Sequence, residues 1–363
     1  MLLDPELQAL LTLHLVPGLG PRLTAALLKR IGSAQAVMEA PADQLRQVPH
    51  IGELAHKLHQ AFQEADVPAE LDLIARHEVQ LLALGSAGYP TALAQIYDPP
   101  HLLYVKGALL PTDVKAVAVV GSRQCTSYGQ RTAERLGRGL AQRGYTVISG
   151  LARGIDGAAH RGALSGGGRT LAVLAGGLAK VYPPEHKDLA SQIQTAGALL
   201  TEASMKMEHL ADLFPPRNRL ISGLARGVVI VEAAERSGAL ITARQAAEQG
   251  RAVFAIPGPV DSPASAGTNQ LLRQGAVLIR GAEDIVEELD GVAPAASSIS
   301  PVVPPGLDEN QLRLWQLLKE QPKHVDDIAR QLNRPIHEVT GTLMILELKK
   351  AVKRLPGNMY ERC

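Results

Sequence analysis

Aromatic side chains are scarce: phenylalanine, tyrosine and tryptophan make up 3% of the 363 residues. That argues against recognition built on extended ring stacking and for a grip on phosphates. Cysteine is nearly absent. Cys125 and Cys363 lie far apart and supply neither a zinc pattern nor a disulfide framework, which fits a reducing cytoplasm. Charge of one sign is missing too. The formal net charge is +1, so no bulk field announces a polyanionic partner, and any anion site must be built locally. No apolar run reaches the ~18 residues of a membrane span. The N-terminal MLLDPELQALLTLHL is apolar but carries Asp4 and Glu6 and lacks a basic leader, so it reads as an amphipathic helix and not a signal peptide. Four motifs are also absent. There is no GxGxxG dinucleotide fingerprint, no GxxxxGK[ST] phosphate loop, no HExxH and no GxSxG. A nucleoside triphosphatase is disfavoured on that ground.

What is present is an alternation of apolar strands and helices. Strands are expected at Ala116–Val120, Thr146–Ile148, Thr170–Leu174, Val228–Val231, Ala252–Ile256 and Val277–Ile279. Most are continuously apolar, as strands covered on both faces should be. Helical stretches such as Gly129–Arg143 and Ile241–Gln249 separate them. The pattern predicts an α/β fold with a doubly wound parallel sheet over residues 79–290. Residues 1–78 read as short helices. The uncharged Pro/Ala/Ser-rich stretch 291–306 reads as a linker, and 307–363 as a small helical module ending in a hairpin.

Ligands of doubly wound sheets bind outside the carboxyl ends of the strands. Five turns fall there. AVVGSRQ offers Gly121 for close backbone approach, Ser122 as a donor and Arg123 as a bidentate phosphate clamp. ISGLARGIDGAAH brings Ser149, Gly150, Arg153 and Gly154 before a helix expected to be capped by Asp156. LAGGLAKVYPPEH carries Lys180. EAAERSGALIT presents Ser237 and Gly238, and AIPGPVDSPASAGTN closes the set. Arg217, Asn218 and Arg219 lead into a further helix. Backbone amides, helix N-termini and cations on one edge suit an anionic ligand. Each turn alone also fits an ordinary parallel sheet. Asp156 and His160, four apart, fit a cap and a helix-face hydrogen bond better than an acid–base pair. Glu232 and Glu235 follow a strand end without an evident partner. Met205 and Met207 read as core, and Phe214 and Tyr182 as the few rings able to stack.

The flanks carry known shapes. LVPGLGPRLTAALLKRIGS (15–33) places a Gly-x-Gly turn between two helices, as in a helix-hairpin-helix whose turn amides can meet phosphate. VPHIGELAHKL (48–58) is a weaker echo with His50 in place of the first glycine. A purely packing role for this zone stays open. At the other end, Val325–Leu332 and Ile336–Leu348 read as a helix-turn-helix across Asn333-Arg334-Pro335. Lys349–Leu355 and Met359–Arg362 form a candidate wing. Major-groove binding is one reading; Glu338, Glu347 and the few basic side chains before Lys349 favour protein contact.

VGSR (120–123), SGLARGIDGAAH (149–160), FPPRNRLISGL (214–224), VEAAERSGALITA (231–243) and IPGPV with GTN (256–269) together resemble the DNA processing protein A family, also called DprA or Smf. The resemblance covers the central 200 or so residues and, more loosely, both flanks. It implies an extended Rossmann-like domain between an N-terminal helix-hairpin-helix (SAM-like) domain and a C-terminal winged helix. It implies a dimeric, non-enzymatic recombination mediator without a cofactor. Such a protein protects incoming single-stranded DNA and loads the RecA recombinase in natural transformation. By motif, Arg123 matches the main phosphate-binding arginine, with Arg217-Asn218-Arg219 and Ser149–Arg153 adding contacts. Where the family often has a basic residue after the YP of the third turn, this chain has Pro184-Glu185, and Lys180 or Lys187 is the expected substitute. Duplex DNA on the outer modules is left open. Two rivals remain. A nucleotide phosphoribohydrolase needs a PGGxGT turn and a catalytic glutamate where this chain has ERSGALIT. A sequence-specific regulator would act through the winged helix.

Overall fold

The structure is a computed structural model that describes residues 4–291, 307–318, 322–349, 351–355 and 357–362. Among them the chain packs as two compact units, Met1–Val292 and Ala293–Cys363. Of the expected linker 291–306, all but Gly291 lies outside the described residues.

The first unit is built on nine strands: β1 (Gln80–Ala83), β2 (Leu102–Gly107), β3 (Ala116–Val120), β4 (Thr146–Ser149), β5 (Thr170–Val173), β6 (Ala198–Thr201), β7 (Gly227–Ile230), β8 (Ala252–Ala255) and β9 (Val277–Leu278). Their order is β1-β2-β6-β5-β4-β3-β7-β8-β9. The six expected strands are all present. The sheet is nevertheless mixed, because β1 and β2 add an antiparallel edge to β6. These two and β6 escaped the sequence reading for local reasons. AGALLTEA has helix-like composition, and β2 follows a pair of prolines.

Strand periodicity assigns the faces. Val117 and Val119 of β3 pack against the helices Ser127–Gln142 and Ile155–Ser165. Ala116, Ala118 and Val120 pack against Phe214–Leu224 and Ala239–Glu248 on the other side. The direction of winding reverses between β3 and β7, because the helix Phe214–Leu224 carries the chain from β6 back across the sheet. Its N-terminus therefore lies at the carboxyl edge, beside the switch point where open α/β sheets bind ligands.

The N-terminal helices share an apolar core with β1, β2 and the helix Lys187–Ala196. The first, Pro5–Leu15, buries five consecutive residues from Ala9 to Leu13. It is a core helix and not the amphipathic one expected. Buried Glu70 pins this layer down, accepting from Tyr104 Oη at 2.9 Å and from the Met205 amide at 2.7 Å. The helices Pro5–Leu15 and Pro21–Ile31 flank the Val16–Gly20 turn. In the second hairpin His50 takes the missing glycine's place at φ 67°.

The second unit is a winged helix. Helices Glu309–Leu317, Val325–Leu332 and Ile336–Leu348 precede a wing of β11 (Val352–Leu355) and β12 (Met359–Arg362), joined by a short β10 (Lys323–His324). Asn333 stops the middle helix in the left-handed region, at φ 50°. Trp315 anchors the core by donating from Nε1 to the Ala351 carbonyl.

Candidate functional site

The carboxyl edge at the switch point opens into a crevice of about 500 Å³. Gly121, Ser122 and Arg123 form one wall, Arg217 and Asn218 the back, and Ser237 and Gly238 the opposite wall. Of the expected residues, these seven are brought together.

Arg123 is exposed and lies over the ring of Phe214, 4.2 Å from its centroid. No ion pair occupies its guanidinium among the described residues. A cation held on an aromatic face at the mouth of a crevice is positioned without being neutralised. Arg236 faces the same crevice, is exposed and is likewise free of ion pairs among the described residues. The sequence reading missed it; its signal was a cation inside the same ERSG turn that offered Ser237.

Arg217 plays another part. It is only 4% exposed, donates to the carbonyl of Gly150 at 2.9 Å and to that of Val173, and lies close to buried Asp156. Burial lowers its pKa to about 10, and Asp156 partly restores it. It remains charged at neutral pH and ties β4 to β5. It forms a positive wall, not a reaching clamp. Arg219, two residues on, points to the opposite side of the helix, as a 3.6-residue period requires. There it pairs with Asp98 at 3.5 Å and with Glu202. The crevice therefore does not receive it.

Other residues are also redirected. Ser149 is fully buried, and its hydroxyl donates to the Val119 carbonyl at 2.7 Å. Asp156 does not cap its helix, whose N-cap is Gly154; it reaches back to accept from the amides of Gly150 and Ala152. Burial raises its pKa, opposed by Arg217. His160 is buried with Nδ1 2.7 Å from Thr170 Oγ1, and desolvation lowers its pKa to about 3. Glu232 braces Thr126, the N-cap of the helix Ser127–Gln142, by accepting from its amide and hydroxyl. Met205 is core, but Met207 is 44% exposed. Gly121 serves packing more than ligand approach, since a Cβ there would sit 2.7 Å from Ile155 Cγ1 and 2.8 Å from the Glu232 carbonyl.

Beside the crevice, Tyr182, His209 and Phe214 form an aromatic wall. The Tyr182 and His209 rings stack at 5.4 Å, and Tyr182 and Phe214 are 6.3 Å apart. The Gly176 amide donates to His209 Nδ1, so Nε2 carries the proton given to the Lys180 carbonyl. Burial lowers this histidine's pKa. Gly150 and Arg153 line the small recess between this wall and Arg123. Arg153 is ion-paired to Glu185, the residue that stands where a cation was expected. Lys180 and Lys187 are exposed and line neither space.

A doubly wound Rossmann-like sheet with a crevice lined by Arg123, Arg217 and Arg236 at its switch point, followed by a winged helix, defines a protein of the extended Rossmann class. Residues 80–290 match the family model described as DNA recombination-mediator protein A, and residues 298–358 the DprA winged helix domain. The chain belongs to the DNA processing protein A (DprA/Smf) family. It is 40% identical to protein Smf of Escherichia coli (strain K12) over 82% of this chain and 81% of that one. The crystal structure of Streptococcus pneumoniae DNA processing protein A superposes with a TM-score of 0.70 at 32% identity, covering 80% of this chain and 99% of that one. The Helicobacter pylori homologue, whose structure was reported for its single-stranded DNA binding mode, gives a TM-score of 0.53 at 28% identity over 59% and 97% of the chains.

Proposed function

We propose that this protein binds single-stranded DNA along the carboxyl edge of its sheet and acts as a recombination mediator. It protects incoming single strands and delivers them to a RecA-type recombinase during natural transformation, working as a homodimer. The observation that carries the reading is Arg123, an unpaired guanidinium seated on Phe214 at the mouth of the crevice. Arg236 supplies a second free cation on the facing wall. The aromatic wall of Tyr182, His209 and Phe214 gives bases a surface next to the phosphates. The single-stranded DNA binding reported for the Helicobacter homologue points the same way. The role requires no bond to be broken. Glu232, the carboxylate a hydrolase could have used at this edge, is occupied by the amide and hydroxyl of Thr126.

The test is a titration of wild type and Arg123→Ala with single- and double-stranded oligonucleotides at two salt concentrations. Tighter binding of single strands, weakened by salt and largely lost in Arg123→Ala, is the expected result. Unchanged binding by Arg123→Ala overturns the assignment of the crevice.

A further inference from the structure

The helix Ser127–Gln142 begins just after Arg123 and runs from the carboxyl edge of the sheet to the opposite edge, because it joins the parallel strands β3 and β4. Its back is fixed by close packing. Gly129 abuts the Glu232 carboxyl, and a Cβ at Gly137 would run into the Ala159 carbonyl of the helix Ile155–Ser165. At a period of 3.6 residues, the side left to solvent carries Gln124, Tyr128, Arg131, Arg135, Arg138 and Gln142, all of them exposed.

This face holds three arginines and no carboxylate, in a chain whose 37 basic residues are matched by 36 acidic ones. With so little net charge, a track for a polyanion has to be built by such a local concentration. None of the three arginines forms an ion pair among the described residues. Glu134 of the same helix pairs instead with Arg161 at 3.7 Å, and Glu283 pairs with Arg143. The partners that orient the arginines are neutral. Arg135 donates to the Arg280 carbonyl at 3.3 Å, and Arg138 Nε donates to Ser165 Oγ at 3.2 Å. These guanidiniums are held in place with their charge unspent, as Arg123 is on the ring of Phe214. Along the helix axis the steps from 131 to 135 and from 135 to 138 are about 6 and about 4.5 Å. Long arginine stems can adjust that repeat to successive phosphates of a strand, and the planar fork suits each one. An acidic polypeptide is the other anion such a row could take. The start of the row beside the crevice favours the strand.

We propose that Arg131, Arg135 and Arg138 form a phosphate track that carries the single strand out of the crevice and along the flank of the sheet. One protomer then grips a long strand at two places, the crevice and a second, sequence-independent hold on the helix. The inference rests on the single-strand reading above.

Full-length protein is titrated with oligothymidylates from about 4 to about 16 nucleotides long at several salt concentrations. Wild type is compared with Arg123→Ala, with the neutralised variant R131Q/R135Q/R138Q and with the charge-retaining variant R131K/R135K/R138K. All three positions are exposed, so the urea midpoint should stay near that of wild type. The neutralised variant is expected to bind the shortest strands as wild type does. On the longest strands it should lose about tenfold or more at low salt, and its slope of log affinity against log salt should flatten by about 2.1, three contacts at about 0.7 each. The charge-retaining variant should keep most of that slope, because a lysine still displaces counterions. If the neutralised variant matches wild type at every length while Arg123→Ala binds weakly, the track is overturned alone and the row serves another anion, such as an acidic polypeptide. A loss that is equal at all lengths also overturns it, since a diffuse field would then be acting and not a track. If Arg123→Ala binds every length like wild type, the crevice reading falls and takes this inference with it.

Discussion

Arg123 and Arg217 both line the crevice, but only one is free to leave its place. Arg123→Ala removes an exposed group, so stability should stay within about 0.5 kcal/mol of wild type while single-strand affinity drops. Arg217→Ala strips two strand-end carbonyls of their donor and Asp156 of its counter-ion, all in a buried setting. Breaking such a pair should cost about 3–5 kcal/mol, seen as a lower urea midpoint, before any binding is measured. Arg217→Lys should not restore it, because an ammonium cannot span both carbonyls as the guanidinium fork does. Glu185 makes the opposite case. It holds Arg153 beside the recess, so Glu185→Gln should release that cation and raise single-strand affinity at low salt. The gain should be up to roughly tenfold, the scale of one added phosphate contact. An unchanged titration would mean that Arg153 does not reach the strand. That both arginines of FPPRNRL are engaged was not legible in the sequence. The side chains at 217 and 219 differ in their neighbours, and those come from β4, β5, Asp98 and Glu202.

At the scale of elements, the strand-end glycines read as ligand-approach positions but largely serve close packing. Gly177, for example, would place a Cβ 2.1 Å from the Met205 carbonyl. The opposite edge of the sheet is held by charge. Asp290, at the end of the helix Ala282–Asp290, meets Lys115 at 2.8 Å, Tyr145 Oη at 2.7 Å and Arg226 at 2.6 Å, residues that precede β3, β4 and β7. Lys115 first, then Tyr145 and Arg226, hold its carboxyl well below the usual carboxylate range. A depressed folded pKa favours the native state above the unfolded value, and the contribution is lost as pH falls through the folded one. Asp290→Asn should therefore lower the melting temperature at pH 7, and its difference from wild type should shrink below about pH 4. A pH-independent difference would assign the effect to packing. In the winged helix, the exposed side of Ile336–Leu348 presents Met344, Ile345 and Leu348 with Glu338 and Glu347, and no lysine or arginine lies within the helix. Asp at both 344 and 348 should leave DNA affinity within about twofold; a larger loss would show that this helix reads DNA.

For the molecule as a whole, the two arginines at the crevice that are free of ion pairs among the described residues, Arg123 and Arg236, imply weak, salt-sensitive single sites. For single strands the slope of log affinity against log salt is about −0.7 per neutralised phosphate. Each site should show roughly −1.4, falling by about half in Arg123→Ala. Avidity from a dimer would add affinity without changing that per-site value. The sequence by itself determined the alternation of elements, five of the turns at the carboxyl edge and the family. Periodicity, glycine placement and ordered motifs are local properties, and each survives without knowledge of what packs where. Only the tertiary structure decided the antiparallel edge, the burial of Ser149 and Arg217, the diversion of Arg219, the recruitment of Arg236 and the aromatic wall around His209. Those outcomes depend on partners far away in the chain, and a side chain's charge becomes available or spent only when that partner arrives.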